Sequence, residues 1–244
     1  MRGWFAVYYR EALILKKKFF KVILSMSLTP ALYLVAFGYG MGKGVSVDGR
    51  SYLEFLIPGL IAMAGMNHAF AIAGEINISR FYWRIFEEFQ TAPIRPAAYV
   101  AGETLAGVTR AILSAMVIIA VASMFGVPLS YNIWFWLGVV LNGFVFSSVA
   151  VWAAMVVRSH SDQGMLTNFI ITPMAFLGGT VFPLSNMPGW AQTVLSALPI
   201  THASHAIRGA AFGQPPGVAP FAALTMIGAI CFSMALASVA RARN

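Results

Sequence analysis

Long apolar runs joined by short polar loops make up most of this chain. Six runs approach or exceed the roughly 20 residues that a helix needs to cross a bilayer. They cover residues 22–41, 53–76, 98–125, 133–157, 165–182 and 218–240. Because the runs are continuous and do not alternate with polar residues, a β-barrel is excluded. The pattern predicts an all-α integral membrane protein, with six transmembrane helices in one domain that covers residues 1–244.

A basic amphipathic stretch, residues 1–21, precedes the first apolar run. On a helical wheel its aromatic and apolar side carries Trp4, Phe5, Tyr8, Ala12, Leu15 and Phe19. The opposite side carries Arg10, Lys17 and Lys21. Such a stretch is typical of a helix in the membrane interface, with its aromatic side in lipid and its basic side toward anionic headgroups. The alternative is a plain basic leader that only sets the membrane topology.

The connection between the second and third runs has a helical pattern of its own. Its apolar stripe consists of Ile78, Phe81, Tyr82, Ile85, Phe86 and Phe89. Its other face consists of Arg80, Arg84, Glu87 and Thr91. Since it is too charged to span and Pro93 ends it, we predict an amphipathic helix at residues 78–92, lying across the mouth of the helix bundle. An inert connector is the alternative.

The region between the fifth and sixth runs, residues 183–211, predicts a re-entrant hairpin. Its apolar piece, residues 189–198, is bracketed by Pro188 and Pro199. At about 1.5 Å per residue, this piece reaches only halfway through a core of about 30 Å. Broken backbone at membrane depth is tolerated only where protein or a water-filled cavity supplies hydrogen-bond partners. An outer loop lying on the membrane is the alternative.

Composition and charge agree with a membrane protein. The 244 residues are 59% hydrophobic and 10% charged, whereas soluble domains are about 25% charged. The net charge of +8 sits mostly in short loops, and no basic domain suggests nucleic-acid binding. With the N-terminus inside, only Lys43, Arg50 and Arg208 fall on the outer side. The positive-inside rule therefore predicts that both termini are cytoplasmic.

Motifs for catalysis and metal binding are missing from the sequence. The glycine-rich residues 38–44 lack the first Gly and the final Ser or Thr of a phosphate-binding loop. His202 and His205 share a helix face, but no acidic or cysteine partner lies nearby in sequence, so we predict no metal site. The only cysteine, Cys231, excludes an intramolecular disulfide. We therefore predict no catalytic residues.

The charged residues within the apolar runs include Glu75, Glu103 and Arg110. Glu103 and Arg110 are seven residues apart and share a helix face. A charge at membrane depth is costly unless it is paired or faces water. We expect Glu75 or Glu103 to pair with Arg110 near the cytoplasmic end of the spans; a proton or substrate path is the alternative.

A series of short motifs carries a family resemblance over almost the whole chain. The motifs are Pro58-Gly59-Leu60, residues 87–96, Gly102-Glu103, residues 172–179, residues 182–190, Leu198-Pro199-Ile200-Thr201-His202 and Arg208-Gly209. In their order and spacing the chain resembles a permease subunit of the ABC transporter type-2 family, with the type V exporter fold. Relatives of this kind export nodulation factors, drugs or polysaccharides. The Pro-x-Thr-His form at His202 is similar to the branch that includes nodulation-factor exporters.

This resemblance implies an export permease in a bacterial-type inner membrane. It implies a homodimer with two separate ABC ATP-binding subunits, which would bind the ATP and Mg²⁺, and it places no cofactor in this chain. Residues 78–92 would be the coupling helix, and the contacts with the ATPase would be Arg80, Arg84, Glu87 and Glu88. The cargo would be amphipathic, lipid-linked or drug-like.

The resemblance also implies a pathway between the two permeases and a gate at its outer end. The pathway candidates are Tyr33, Phe37, Met63, Asn67, Asn168, Thr172 and Phe176. The gate candidates are Pro183, Pro188, Trp190, Pro199, His202 and Arg208. The main alternative is an ion-coupled carrier or channel that works without an ATPase, for which we see neither an inverted repeat nor several midplane acids. A membrane scaffold without transport would leave the broken outer segment unexplained.

Overall fold

The computed structural model describes residues 3–39, 46–47, 49–83, 94–157, 159–215 and 217–243. Its helices are α1 Gly3–Lys17, α2 Phe19–Tyr39, α3 Tyr52–Phe70, α4 Ile72–Phe81, α5 Pro96–Ser123, α6 Ile133–Val156, α7 His160–Leu166, α8 Thr172–Leu177, α9 Gly189–Ser196, α10 Pro199–Ala211 and α11 Val218–Arg243. A π-helical turn, Thr167–Ile171, joins α7 to α8, and a 3₁₀ turn, Leu184–Asn186, precedes α9. Two short antiparallel strands, β1 Ser46–Val47 and β2 Arg50–Ser51, lead into α3.

Five helical stretches of the described chain are long and apolar enough to cross a bilayer. They are Phe19–Phe37, Tyr52–Phe81, Pro96–Ser123, Ile133–Val156 and Val218–Ala242. The second stretch combines α3 and α4, which a turn at Ala71 separates. The all-α membrane class predicted from the sequence therefore agrees with the structure, with five spans identified by length and hydropathy.

The apolar run at residues 165–182 does not form one continuous α-helix. It begins within α7 and continues through the π-helical turn, in which the Thr172 N–H donates to the Thr167 carbonyl. It ends after α8, where Gly179 has a φ of +69°, a conformation that favours glycine. The α7–π–α8 path contains segments of 7, 5 and 6 residues. At about 1.5 Å per residue its length is about 27 Å.

Polar side chains fix the beginnings of several helices. The Ser51 hydroxyl accepts from the Glu54 N–H at the start of α3, and the Asn132 side chain accepts from the Phe135 N–H at the start of α6. These contacts satisfy N–H groups that have no partner within the helix. The boundaries therefore follow polar residues at the edges of the apolar runs.

The centre of the bundle consists of α3, α5 and α6, which pack closely through small residues. A Cβ at Gly143 of α6 would lie 2.9 Å from the Ala111 side chain of α5, so the two backbones approach each other directly. The Asn142 amide donates to the Ala62 carbonyl of α3 at 2.9 Å. In contrast, only 17% of the residues in the α2 window and 22% in the α11 window are buried, so these two helices lie at the periphery.

The predicted coupling helix, residues 78–92, lies largely outside the described residues. Helix α4 continues from the second span to Phe81, so residues 78–81 extend that span rather than begin a separate helix. Arg84, Glu87 and Glu88 fall in the undescribed residues 84–93.

Candidate functional site

The backbone turn after α8 is bound by one arginine from α10. Arg208 donates through Nη2 to the carbonyls of Gly179 and Thr180, at 2.9 and 3.3 Å, and through Nε to the Phe55 carbonyl of α3, at 3.3 Å. Its guanidinium lies 3.8 Å above the Phe55 ring. A single cation therefore joins α10, α3 and the turn, and it supplies donors to carbonyls that a broken helix leaves without partners.

Close packing holds the same turn against its neighbours. The Tyr52 hydroxyl donates to the Val181 carbonyl at 2.8 Å, and the Ser204 hydroxyl donates to the Gly178 carbonyl at 3.1 Å. A Cβ built on Gly59 would overlap the Thr180 carbonyl oxygen. The Pro58-Gly59 pair, which the sequence singles out, therefore lets α3 approach the turn without a side chain between them.

The other gate candidates lie along the helical hairpin formed by α9 and α10. Pro188 immediately precedes α9, and Pro199 is the first residue of α10, where its missing N–H is of no consequence. Trp190 is 75% exposed. The corner between the helices is fixed by the Thr201 hydroxyl, which donates to the Leu195 carbonyl at 2.6 Å.

A cavity of about 340 Å³ lies beside this turn. It is lined in part by Arg50, Pro183, His205, Arg208 and Gln214. His202 is half-buried and does not line the cavity, whereas His205 does. Among the described residues, no group of three or more His, Cys, Asp or Glu residues is arranged to hold a metal ion.

Most pathway candidates lie on an exposed side of the bundle. Asn168, Thr172 and Phe176 are exposed along the α7–π–α8 path, and Asn67 is exposed on α3. Two further candidates, Tyr33 and Phe37 of α2, extend this aromatic surface. The Tyr33 ring is 6.5 Å from that of Phe176 and 5.8 Å from that of Phe37. Met63 differs from the others, because it is buried in the core.

Five charged side chains form a cluster between α1, α4 and α5, in which Arg10 and Glu75 are partly exposed and the other three are buried. Arg10 pairs with Glu11 at 2.7 Å and with Glu103 at 3.0 Å. Arg110 pairs with Glu75 at 2.5 Å and with Glu11 at 3.4 Å. The structure thus contains the ion pair expected at Arg110, and its partner in the spans is Glu75. Glu103 pairs instead with α1.

The cluster has three carboxylates against two guanidinium groups. Glu103 is almost fully buried, and Arg10 is the partner of its Oε1 atom. Burial raises the pKa of the Glu11 carboxyl, and Arg10 beside it acts in the opposite direction. An unneutralised carboxylate away from water is unfavourable. The cluster therefore favours either uptake of a proton by a carboxylate or separation of the charged side chains.

Helix α1 does not turn all of its basic residues toward the headgroups. The prediction for Arg10 is wrong, because its guanidinium pairs inward with Glu103 on α5. Val7 and Glu11 are buried on the same side, and Val7 packs against Gly102. Glu11 was missed by sequence reasoning, although it is the only acidic residue in the basic stretch 1–21, and this was the available signal.

The end of α4 is tied to two other segments. Arg80 donates through Nη1 to the Ala154 carbonyl in the last turn of α6. The buried Asn77 amide donates to the Gln163 side chain of α7 at 3.0 Å. The chain that leads into the predicted coupling helix is therefore joined to α6 and α7 by side-chain hydrogen bonds.

Comparisons with known proteins match almost the whole chain. The model of the family described as ABC-2 type transporter matches residues 2–212. Nodulation protein J of Rhizobium meliloti (strain 1021) is 32% identical over 216 residues, which cover 87% of this chain and 82% of the relative. The inner membrane transport permease YadH of Escherichia coli (strain K12) is 28% identical over 178 residues, which cover 72% of this chain and 69% of the relative.

Proposed function

The chain belongs to the ABC-2 type transporter family, and from this premise we propose that two copies of it form the membrane-spanning part of an ATP-driven exporter. Permeases of this family normally work with an ABC ATP-binding subunit. Two such subunits would bind ATP and Mg²⁺ and drive this permease, which has no catalytic role of its own. The observation that carries the proposal is the family match over residues 2–212.

The pathway would lie between the two permeases, at the exposed face of α3 and the α7–π–α8 path. Asn67 is exposed there on a stretch long and apolar enough to span, and Asn168 and Thr172 are exposed on the apolar run at residues 165–182. A side-chain amide in hydrocarbon is unfavourable without a hydrogen-bond partner. These groups are therefore suited to face water or a second copy. The aromatic rings of Tyr33 and Phe176 would supply the apolar wall, and the buried Met63 would support it from behind.

The α7–π–α8 path is suited to be one further span, which would be the fifth of six in chain order. Its length of about 27 Å is close to the bilayer core of about 30 Å. Six spans return the chain to its starting side, so both termini would be cytoplasmic in an inner membrane. The turn held by Arg208 and the α9–α10 hairpin, with Pro183, Trp190 and His202, would then lie at the outer end and form the exit gate.

Coupling to the ATPase would enter through residues 78–92, with Arg84, Glu87 and Glu88 as contacts. Arg80 would act differently from the other three, because its hydrogen bond to the Ala154 carbonyl connects this segment to α6. Movement of the segment would then reach α4, α6 and α7 together. The proposed cargo is amphipathic, lipid-linked or drug-like, since the candidate pathway combines amide groups with aromatic rings.

A second candidate is an ion-coupled carrier that needs no ATPase. The observation that favours it is the ion cluster, in which Glu103 is almost fully buried and three carboxylates accompany two guanidinium groups. A carboxyl group of this kind could take up a coupling proton.

Affinity purification in mild detergent, with the co-purifying chains identified by mass spectrometry, separates the two candidates. The exporter predicts a stoichiometric soluble subunit with nucleotide-binding motifs and ATPase activity. A homo-oligomer without such a subunit, under conditions that preserve a known ABC complex, would favour the carrier. A proton gradient that drives transport in proteoliposomes without ATP would establish the carrier.

The coupling role can be tested by reversing Arg84 and Glu87 together, which preserves net charge. We expect ATP hydrolysis to continue while cargo transport falls, because the partner would no longer engage the segment correctly. The matched control reverses the charges of two exposed residues together, Asp162 and Arg241. Equal transport by the two variants would remove the coupling role from residues 84–87.

A further inference from the structure

A cavity of about 210 Å³ lies at the junction of α1 and α2, where the chain also approaches α4 and α5. One part of its lining is apolar and includes Ile14, Leu15, Val22 and Met26. Another part is charged, and the cavity is therefore amphipathic. It shares no lining residue with the cavity beside Arg208, and none of the pathway candidates lines it.

Three cations and one carboxylate face this cavity: Lys18, Lys21, Arg110 and Glu75. Lys18 and Lys21 are exposed, and neither forms an ion pair with any other residue that the structure describes. Arg110 is 8% exposed, and its ion pairs use Nη2 alone, so Nε and Nη1 take no part in them. The cavity therefore has an excess of positive charge and donors that its own carboxylate does not match.

Helix α2 adds an apolar track that leads away from the cavity. Leu24, Leu28 and Leu32 follow Lys21 at helical spacing, and each is 60% exposed. The cavity thus presents cations at one end and a lipid-accessible apolar stripe at the other. An anionic phospholipid has the matching arrangement, with a phosphate group joined to long acyl chains.

We propose that this cavity binds the phosphate headgroup of an anionic membrane lipid. Lys18 and Lys21 contact the phosphate oxygens, Arg110 supplies further donors from the floor, and an acyl chain lies along Leu24, Leu28 and Leu32. Lysine and arginine attract anionic headgroups at the membrane surface, and a preformed cavity adds selectivity for one lipid molecule. The bound lipid joins α1 to α2 beside the ion cluster. The site stands whether the chain is an exporter or a carrier.

The test uses the full-length protein, with any subunit that co-purifies, in nanodiscs that contain spin-labelled phosphatidylglycerol or spin-labelled phosphatidylcholine. We expect a motionally restricted fraction of the phosphatidylglycerol label that exceeds that of the phosphatidylcholine label. The variant Lys18→Gln/Lys21→Gln should weaken retention of phosphatidylglycerol by about tenfold or more, as expected for the loss of two lysine contacts with an anionic lipid.

Matched variants separate a site from general attraction to the membrane. Lys16→Gln/Lys17→Gln removes the same charge from the neighbouring turn but does not touch the cavity, so it should retain the lipid. Ser25→Phe narrows the cavity without a change in charge and should release the lipid. Equal loss in both lysine variants, or no loss in either, would overturn the proposal. Displacement of the label by excess inorganic phosphate would assign the cavity to free phosphate instead.

Discussion

Replacement of Arg208 with Met tests whether one guanidinium stabilises the turn after α8. The substitution keeps most of the aliphatic stem but removes the donors to three carbonyls, those of Phe55, Gly179 and Thr180. A buried carbonyl that loses its donor costs about 1–3 kcal/mol. Because Phe55 lies within α3, its carbonyl keeps a helical N–H partner, and only the Gly179 and Thr180 carbonyls lose their donor. The adjoining cavity admits water, so we use the lower end, which gives about 2 kcal/mol for these two carbonyls. Loss of the cation–π contact with Phe55 adds about 0.5–1 kcal/mol.

Thermal unfolding followed by tryptophan fluorescence, at fixed detergent and scan rate, measures this effect. For a chain of this length, 1 kcal/mol shifts the Tm by about 2–4 °C, so a loss of about 2.5–3 kcal/mol should lower the Tm of Arg208→Met by roughly 5–12 °C. Arg50→Met is the matched control, because Arg50 lines the same cavity and lies 4.3 Å above the Phe212 ring.

The control lacks the feature under test. Arg50 pairs only with Glu54 among the carboxylates of the described residues, at 3.6 Å, and its side chain is 41% exposed. The exposed pair contributes about 0–1 kcal/mol and the ring contact about 0.5–1 kcal/mol, so the Tm of Arg50→Met should fall by roughly 1–8 °C, less than that of Arg208→Met. Equal falls in the two variants would refute the argument that the carbonyl bonds of Arg208 stabilise the turn.

Three further predictions concern the packing and the ion cluster. Gly59→Ala should lower the yield of folded protein, because the added Cβ overlaps the Thr180 carbonyl. Gly74→Ala is the control, since the space around Gly74 is open. Matching size-exclusion profiles of the two variants would contradict this prediction. Expression should fall with either Glu75→Arg or Arg110→Glu. The double variant should restore part of it, because the ion pair is re-formed with reversed charges. No recovery in the double variant would exclude direct pairing. Burial raises the pKa of the Glu11 carboxyl, so the folded state binds this proton more tightly than the unfolded state. The protonated carboxyl therefore adds to the free energy of unfolding at low pH, and this contribution is lost as pH rises through the folded pKa. Glu11→Gln should therefore flatten the dependence of Tm on pH, and an unchanged slope would argue against this assignment.

The membrane-helix organisation could be read from the sequence because it depends on local patterns. Five of the six apolar runs fall on helices that are long and apolar enough to span. The break after α8 was also visible, since paired glycines and prolines interrupt an apolar run. Hydropathy could not reveal the π-helical turn at Thr167–Ile171, because an extra residue in one helical turn leaves mean hydropathy unchanged.

Long-range partners could not be read from the sequence. Arg10 and Glu103 are 93 residues apart, and nothing in either segment's periodicity indicates which helices become neighbours. The helical wheel placed Arg10 by its own helix alone, and the partner on α5 reversed that assignment. Arg208 was named from the resemblance as a gate candidate, but its carbonyl partners could not be predicted, because they belong to a turn and to α3. The pathway and coupling residues rest on the family resemblance, and Arg84, Glu87 and Glu88 lie outside the described residues.

The ion cluster also imposes an order on biogenesis. Glu11 leaves the ribosome first, but its partner Arg110 follows 99 residues later. Until the third span has been inserted, the Arg10–Glu11 pair of α1 lacks its partners Glu103 and Arg110 on α5, so docking of α1 must follow insertion of that span. Docking of α1 therefore requires that the first three spans have been inserted. A nascent chain that loses Arg110 would lose one of the contacts that dock α1, so a defect in the third span would alter the N-terminal helix.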